Sequence, residues 1–310
     1  MEDLQKILST PAPRIGKTGH VALVGRPNTG KSTLLNTLLG THLAAVSNKP
    51  QTTRKHLLGI LTDAESQILF LDTPGIHQAR IAIDDAMNRS IARVLSDADV
   101  VVCLADPTRK PGSEDALAVE RVNAARKPVI IAVNKVDIAT PEQLEECQAY
   151  YQLAFPKAPV LKIAAIERER SLPLLEHLRR LLPEGPFVYD EDDLTDVYER
   201  DIAAELIREV MLEQLRQEVP HCVAVAIDRW EEHEDRIFIG ATLNLEREGH
   251  RGIVLGKGGE RIRNIRVTAA KRIAEFVGRR VELSMFIKIR PDWRNNKRFL
   301  AEMGLGVATR

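Results

Sequence analysis

The chain has 310 residues, 28% of them charged and 44% hydrophobic, and its 44 Lys and Arg balance 44 Asp and Glu. This composition excludes whole-chain disorder and a whole-chain coiled coil, and the length suggests two domains. With aromatics at only 4%, the cores must be built from Val, Ile, Leu and Ala. The longest apolar runs, such as Val100–Ala105 and Val129–Val133, fall far short of the roughly 18 residues of a membrane span. Met1–Gly19 lacks the apolar segment of a secretory signal. Cys103, Cys147 and Cys222 are widely separated and show no metal-ligand spacing. A reducing, cytoplasmic compartment is therefore expected.

From His20 to about Leu182, short apolar runs alternate with helical patterns. Strands are predicted at Val21–Val24, Leu57–Leu61, Gln67–Leu71, Asp99–Leu104, Val129–Val133 and Pro159–Ile163. Helices are predicted at Lys31–Leu39, Ile83–Leu95, Ser113–Ala125, Pro141–Leu153 and Leu172–Leu181. Such alternation specifies an α/β fold with helices on both faces of a mostly parallel sheet. Only Thr62–Ser66 separates the second and third strands, so these two read as an antiparallel hairpin in an otherwise parallel sheet.

The stretch Pro183–Asp201 breaks the pattern and carries a net charge of −7. It reads as an acidic linker, with Asp196 and Glu199 spaced as a capping box. Apolar residues from Ile202 to Leu215 then recur at helical spacing. Two strands follow, Cys222–Trp230 and Arg236–Leu245. After a short helix come Gly256-Lys257-Gly258-Gly259, a long helix Glu260–Val277 and a last strand Val281–Ile289. The order α-β-β-α-α-β is an α+β arrangement distinct from the first domain.

Three strand ends of the first domain carry chemistry. Gly25-Arg26-Pro27-Asn28-Thr29-Gly30-Lys31-Ser32, followed by Thr33, fits GxxxxGK[ST] between a strand and a helix, the context of a phosphate-binding loop. Its backbone N–H groups and helix N-terminus favour phosphate, Lys31 reaches the β- and γ-phosphates, and the Ser32 hydroxyl suits Mg²⁺. Asp72-Thr73-Pro74-Gly75 places a second Mg²⁺ ligand, Asp72, at a strand end and a γ-phosphate N–H donor at Gly75. Asn134-Lys135-Val136-Asp137 decides the base. The Asp137 carboxylate matches guanine N1–H and N2–H₂, whereas adenine would leave it mismatched. Asn134 would brace the phosphate loop, and the Lys135 stem would cover the ring. Between the first helix and the hairpin, Gln51-Thr52-Thr53-Arg54 offers a hydroxyl that can close over Mg²⁺, from Thr53 or alternatively Thr52. GTP or GDP with Mg²⁺ is thus the expected ligand, and Lys31, Asp72, Gly75 and one of these two threonines, Thr53 or Thr52, are the expected catalytic set.

The second domain is as strongly marked by charge. Between Arg247 and Arg298 stand fifteen basic and five acidic residues, a net charge of +10 in a chain whose overall net charge is zero. A patch of this kind is an electrostatic footprint for nucleic acid. Within it, Gly256–Gly259 forms a GxxG between two helices, the signature of a KH domain, which clamps single-stranded nucleic acid. Lys257, Arg261 and Arg263 would supply charge, while Ile262, Ile265, Ala269, Ile273 and Phe276 line a core-facing stripe.

The ordered motifs resemble the small GTPase domain of the translation-factor-related class, in which Thr53 would be the closing threonine because it directly precedes Arg54. Ile76 stands where many such GTPases carry a water-positioning Gln, which implies slow intrinsic hydrolysis or another water-holding group. Asn28 matches the position of a potassium ligand in similar GTPases, a charge source in place of an arginine finger. The fifth motif, usually Ser-Ala-Lys or Ser-Ala-Glu, is here Ala164-Ala165-Ile166-Glu167. Ala165 is expected to offer its N–H to guanine O6.

From about Lys17 to Leu305 the chain resembles the Era family. The resemblance is carried by residues 25–36, Gln51–Arg54, Asp193–Asp196, Ile202–Glu209 and Ile253–Gly259. It implies a GTPase domain at 17–183, a linker at 184–200, a type-two KH domain at 201–292 and a C-terminal tail at 293–310. It also implies binding near the 3′ end of small-subunit ribosomal RNA, assistance to assembly of the small ribosomal subunit, and peripheral attachment to the cytoplasmic face of the membrane. Two other readings stay open: an RNA-binding protein with a degenerate nucleotide pocket, and a membrane-surface GTPase.

Overall fold

The computed structural model describes residues 14–216 and 218–305. Residues 1–13 of the N-terminal stretch and 306–310 of the expected tail lie outside them. The first domain contains β1 (Ile15–Val24), β2 (Leu57–Thr62), β3 (Ser66–Asp72), β4 (Val100–Ala105), β5 (Val129–Val133), β6 (Val160–Lys162) and β7 (Glu184–Pro186). They form one sheet in the order β2-β3-β1-β4-β5-β6, with β7 against the start of β1. β2 runs antiparallel to β3, and the strands from β3 to β6 are parallel. The helices are α1 (Lys31–Leu39), α2 (Ala82–Asp97), α3 (Ser113–Ala125), α4 (Pro141–Ala154) and α5 (Arg168–Leu181).

Alternation along β1 explains the layering. Val21 and Leu23 point to one face and meet Leu34 and Leu38 of α1 and Leu174 and Leu178 of α5. Ala22 and Val24 point to the other face, toward Val94 of α2, Val122 of α3 and Tyr151 of α4. A strand buried on both faces reads as a continuous apolar run, which is why β1, β4 and β5 are visible in the sequence. The phosphate loop, the Asp72–Gly75 loop and the Asn134–Asp137 loop leave the carboxyl ends of the parallel strands β1, β3 and β5, where ligands of open α/β sheets bind.

The second domain has α6 (Glu199–Gln214), β8 (Val223–Glu232), β9 (Arg236–Leu245), α7 (Glu248–Leu255), α8 (Glu260–Val277) and β10 (Arg280–Ile289). β9 is the central strand, antiparallel to β8 and parallel to β10. Ile202, Leu206 and Val210 of α6 and Ile265, Ala269 and Ile273 of α8 cover one face of this sheet.

Three expectations are corrected. The stretch after Pro183 is not a free linker: β7 pairs with β1, Ile60 N–H donates to Leu194 O, and the Thr195 hydroxyl donates to Leu58 O at 2.6 Å. Unpaired backbone groups along the sheet's edges hold it down, despite its charge. The capping box at Asp196 does not form. The helix starts two residues later, with Tyr198 at its N-cap and no side-chain cap.

Nor is Trp293 part of a tail. It is fully buried, donates its indole N–H to Cys222 O at 3.0 Å and meets Phe299 of α9 (Lys297–Glu302) edge-on. Together with Leu300 these rings pack against Ile83 and Met87 of α2 and Ala224 of β8, so the segment joins the two domains. Trp293→Ala is expected to destabilise the chain by about 3–5 kcal/mol. Urea unfolding measures it, and a loss below about 1 kcal/mol would contradict this anchoring role.

Candidate nucleotide site and nucleic-acid surface

A cavity of about 550 Å³ opens at the carboxyl ends of the first domain's strands. One wall is the phosphate loop. Gly30 caps α1 with φ at 96°, and a Cβ there would collide with the Asn134 side-chain amide, so glycine is required. The same Asn134 amide donates to Thr29 O and accepts from Ala165 N–H, both at 2.7 Å, tying the phosphate loop to the base end. Ala165 N–H is therefore engaged by Asn134 rather than free for a guanine carbonyl, a departure from expectation.

Lys31 folds into the loop, its ammonium 3.0 Å from Arg26 O. Burial lowers its pKa to about 8, against the opposing pull of Asp72. Phosphate oxygens would supply the negative charge that this buried ammonium lacks. At the base end, Asp137 is exposed on the cavity wall and accepts no hydrogen bond from the described residues. Lys135, at φ 61°, pairs with Asp106 at 2.7 Å.

Three oxygens converge below the phosphate loop. The Ser32 hydroxyl lies 2.6 Å from Asp72 Oδ2 and 2.9 Å from the Thr53 hydroxyl, which is itself 3.3 Å from Asp72. The other Asp72 oxygen is buried without a partner. Burial raises the Asp72 pKa, with the two hydroxyls and Lys31 opposing. A hard divalent cation suits such an oxygen cluster and would relieve the orphaned carboxylate oxygen. Thr52 is not part of it, because its hydroxyl donates to Lys49 O at 2.7 Å.

Of the other motif residues, Pro27, Asn28 and Gly75 line the cavity, and several more brace it without facing it. The Arg26 guanidinium is buried, paired with Asp115 and bonded to Asp106 O at 2.8 Å. Thr73 donates to Leu23 O, and Val136 N–H to Ile163 O. Pro74 is buried, and Ile76 is wholly so, with its N–H on Gly25 O. Gly75 sits so close to Pro27 that a Cβ would come within 2.6 Å of its Cα. Asn28, at φ 65°, donates its amide to Asn48 O at 2.8 Å. The cavity also takes in Gln51, Asp106, Ile138 and Ile166, which the sequence reading did not assign to it. Asp106 had a usable signal, since like Asp72 it follows a buried strand end.

In the second domain Lys257, Gly258, Arg261 and Arg263 are exposed, and Gly256 and Gly259 half-buried. Gly258 adopts φ 59° with open space where a Cβ would stand, so its outer side is free for another chain to approach. Val267 on α8 is an exposed apolar neighbour of Arg263, four residues on and so on the same helix face. Arg261 is not free to roam, since its guanidinium donates to Ile253 O.

A nucleotide-sized cavity ringed by these motifs, beside a helix–GxxG–helix domain, defines a P-loop GTPase fused to a KH domain. Residues 20–135 match the family described as 50S ribosome-binding GTPase, and residues 218–294 match the KH domain. GTPase Era of Clostridium perfringens is 37% identical over 289 residues, 93% of this chain and 98% of that protein. GTPase Era of a Thermoanaerobacter species is 40% identical over 293 residues, 94% and 97%. A solved Era variant of Aquifex aeolicus bound to GDP and AlF4⁻ superposes with a TM-score of 0.89 at 32% identity, covering 94% of this chain and all of that one. An Era complex with MgGDPNP and nucleotides 1506–1542 of 16S ribosomal RNA gives 0.90, with the same identity and coverage. The chain belongs to the GTPase Era family.

Proposed function

We propose that the chain is a GTP-hydrolysing switch that binds the 3′ region of small-subunit ribosomal RNA and assists small-subunit assembly. The observation that carries this reading is one chain holding both the oxygen-lined nucleotide cavity and a Gly256–Gly259 turn with Lys257 and Gly258 exposed, in a segment, residues 247–298, of net charge +10. The relative that covers 94% of this chain and holds both a GTP analogue and 16S ribosomal RNA supports the pairing. The test is GTP turnover and single-stranded ribosomal RNA binding on one preparation. Turnover without RNA binding, or RNA binding without turnover, would contradict it. RNA binding without turnover is what a degenerate pocket with the altered Ala164–Glu167 segment would give.

In this reading, the phosphate loop and Lys31 hold the phosphates, and Asp137 selects guanine with Asn134 and Lys135 framing the ring. Ser32, Thr53 and Asp72 would hold Mg²⁺, which neutralises charge on the β- and γ-phosphates when bound. Gly75 would follow the γ-phosphate. Ile76 is wholly buried and apolar, so in this reading the attacking water would be held by a group other than the residue at position 76.

A potassium ion is proposed at Asn28. A half-turn of its amide would set the side-chain oxygen beside the Asn48 carbonyl, giving two neutral oxygens near the phosphates. Turnover is expected to be several-fold faster in potassium than in sodium, and Asn28→Ala should abolish that difference. Equal rates of the wild-type chain in the two salts would count against the site.

Among the described residues no helix is long and apolar enough to cross a membrane. We place the chain in the cytoplasm, a reading supported by three buried free cysteines, with peripheral membrane contact through the basic domain. Co-sedimentation with anionic vesicles tests that contact.

A further inference from the structure

The loop between α1 and β2, residues 40–56, carries Thr53 and has no helix or strand of its own. A loop of this length has many accessible conformations, so whatever fixes it controls where the Thr53 hydroxyl lies. The first domain holds the loop's ends and one side, through Asn36 to residues 43 and 44, Asn28 to Asn48 O and Gln51 to His77 and Asp84. The second domain, chiefly its first helix α6, holds it from the other side. Val46 N–H donates to Glu209 Oε1 at 2.8 Å, and the His42 ring stands 3.0 Å from Glu209 Oε2. The Lys49 ammonium caps the C-terminus of α6, donating to Leu212 O and Leu215 O, where the helix dipole favours a cation. Arg208 donates to Thr52 O. Beyond the threonine, Arg54 donates to His221 O at 2.7 Å and Val223 O at 2.8 Å. Residues 46, 49, 52 and 54 are thus all held by the second domain.

Glu209 is the centre of this grip. It is 1% exposed on a helix that buries its apolar face, so a charged side chain there needs partners. Its partners are a backbone N–H of the loop, His42 at the loop's start, and Arg272 of α8 at 3.1 Å. Hydrogen bonding to Glu209 pushes the His42 pKa up, against its partial burial. Arg272 also holds Glu213 at 2.7 Å, which fixes α8 to α6 at the same point. An apolar residue at 209 would leave Val46 N–H without this acceptor and Arg272 with Glu213 as its remaining partner.

We propose that α6 is the template for the Thr53 loop, with Glu209 and Lys49 as positioning residues for GTP hydrolysis. Neither touches the nucleotide cavity's oxygen cluster. They act by holding the loop in the shape that brings the Thr53 hydroxyl to Ser32 and Asp72. The inference rests on the assignment of Thr53 to the Mg²⁺ set.

The test measures single-turnover hydrolysis at saturating GTP and Mg²⁺, with GDP affinity alongside, on the full chain. The variants are Glu209→Ala, Glu209→Gln, Lys49→Ala and Thr53→Ala. Loss of a hydrogen bond to a charged group corresponds to roughly tenfold in rate. Glu209→Ala and Lys49→Ala are each expected to lower kcat by about that factor while GDP affinity stays within about twofold, because the phosphate loop and base end are untouched. Glu209→Gln keeps an acceptor for Val46 N–H and should retain most of the rate. A folded Glu209→Ala with wild-type kcat, or with a loss of GDP affinity equal to its loss of kcat, overturns the proposal. If Glu209→Ala does not fold, Lys49→Ala, a change on the loop rather than in the core, decides on the same criteria. A Thr53→Ala variant with wild-type turnover removes the metal assignment and this inference with it. An impaired Thr53→Ala beside an unimpaired Glu209→Ala and Lys49→Ala removes the inference alone.

Discussion

Asp137→Asn is expected to weaken GTP binding by about a hundredfold and to create binding of XTP. The carboxylate accepts from guanine N1–H and N2–H₂, and an amide cannot accept at both oxygens. One of the guanine donors would then face an N–H group. A mismatch of this kind costs roughly 3 kcal/mol, which is about two decades in affinity. Xanthine carries a carbonyl at C2, so the new amide donor finds an acceptor there. Asp137 is exposed and accepts no hydrogen bond from the described residues, so the change leaves the fold intact. Equilibrium titration with GTP and XTP measures it, and unchanged GTP affinity would refute the base assignment.

Lys257→Asp combined with Gly258→Asp is expected to lower affinity for single-stranded RNA by about a hundredfold and leave GTP turnover within about twofold. Two acidic groups would stand where phosphates approach, each repelling by roughly 1–4 kcal/mol at close range. The lost contact should also flatten the salt dependence, by about 0.7 in slope for each phosphate released. Both positions are exposed, and the Cβ of residue 258 would enter open space. Aspartate tolerates the left-handed φ of 59° there better than most residues, so the chain should fold, as far-ultraviolet dichroism would confirm. Wild-type RNA affinity in the folded variant would show that Gly256–Gly259 is not the clamp. Loss of GTP binding along with it would show that the two domains do not work separately.

The nucleotide site was legible because its chemistry is local. Each motif is a few consecutive residues after an apolar strand, so the phosphate loop, Asp72 and Asn134–Asp137 are found without knowing the fold. What joins the domains was not legible, because it depends on partners far apart in sequence. Glu209 and Val46 are separated by 163 residues, and Arg54 and Val223 by 169. Glu209 reads as one more charge on a helix until the loop that it holds is seen. β7 escaped notice because Glu184-Gly185-Pro186 has no strand propensity and is held only by its pairing with β1. Trp293 sits among basic residues and reads as a charged tail. A lone Trp in such a stretch was the available signal, since so large an apolar group is seldom left in water.

Sequencing the RNA crosslinked to the chain in cells, with the Lys257/Gly258 double variant beside it, tests the central claim most directly. The account predicts reads concentrated at the 3′ end of small-subunit ribosomal RNA and lost in the double variant. Reads spread evenly over cellular RNA, or the same 3′-end enrichment in both proteins, would contradict it.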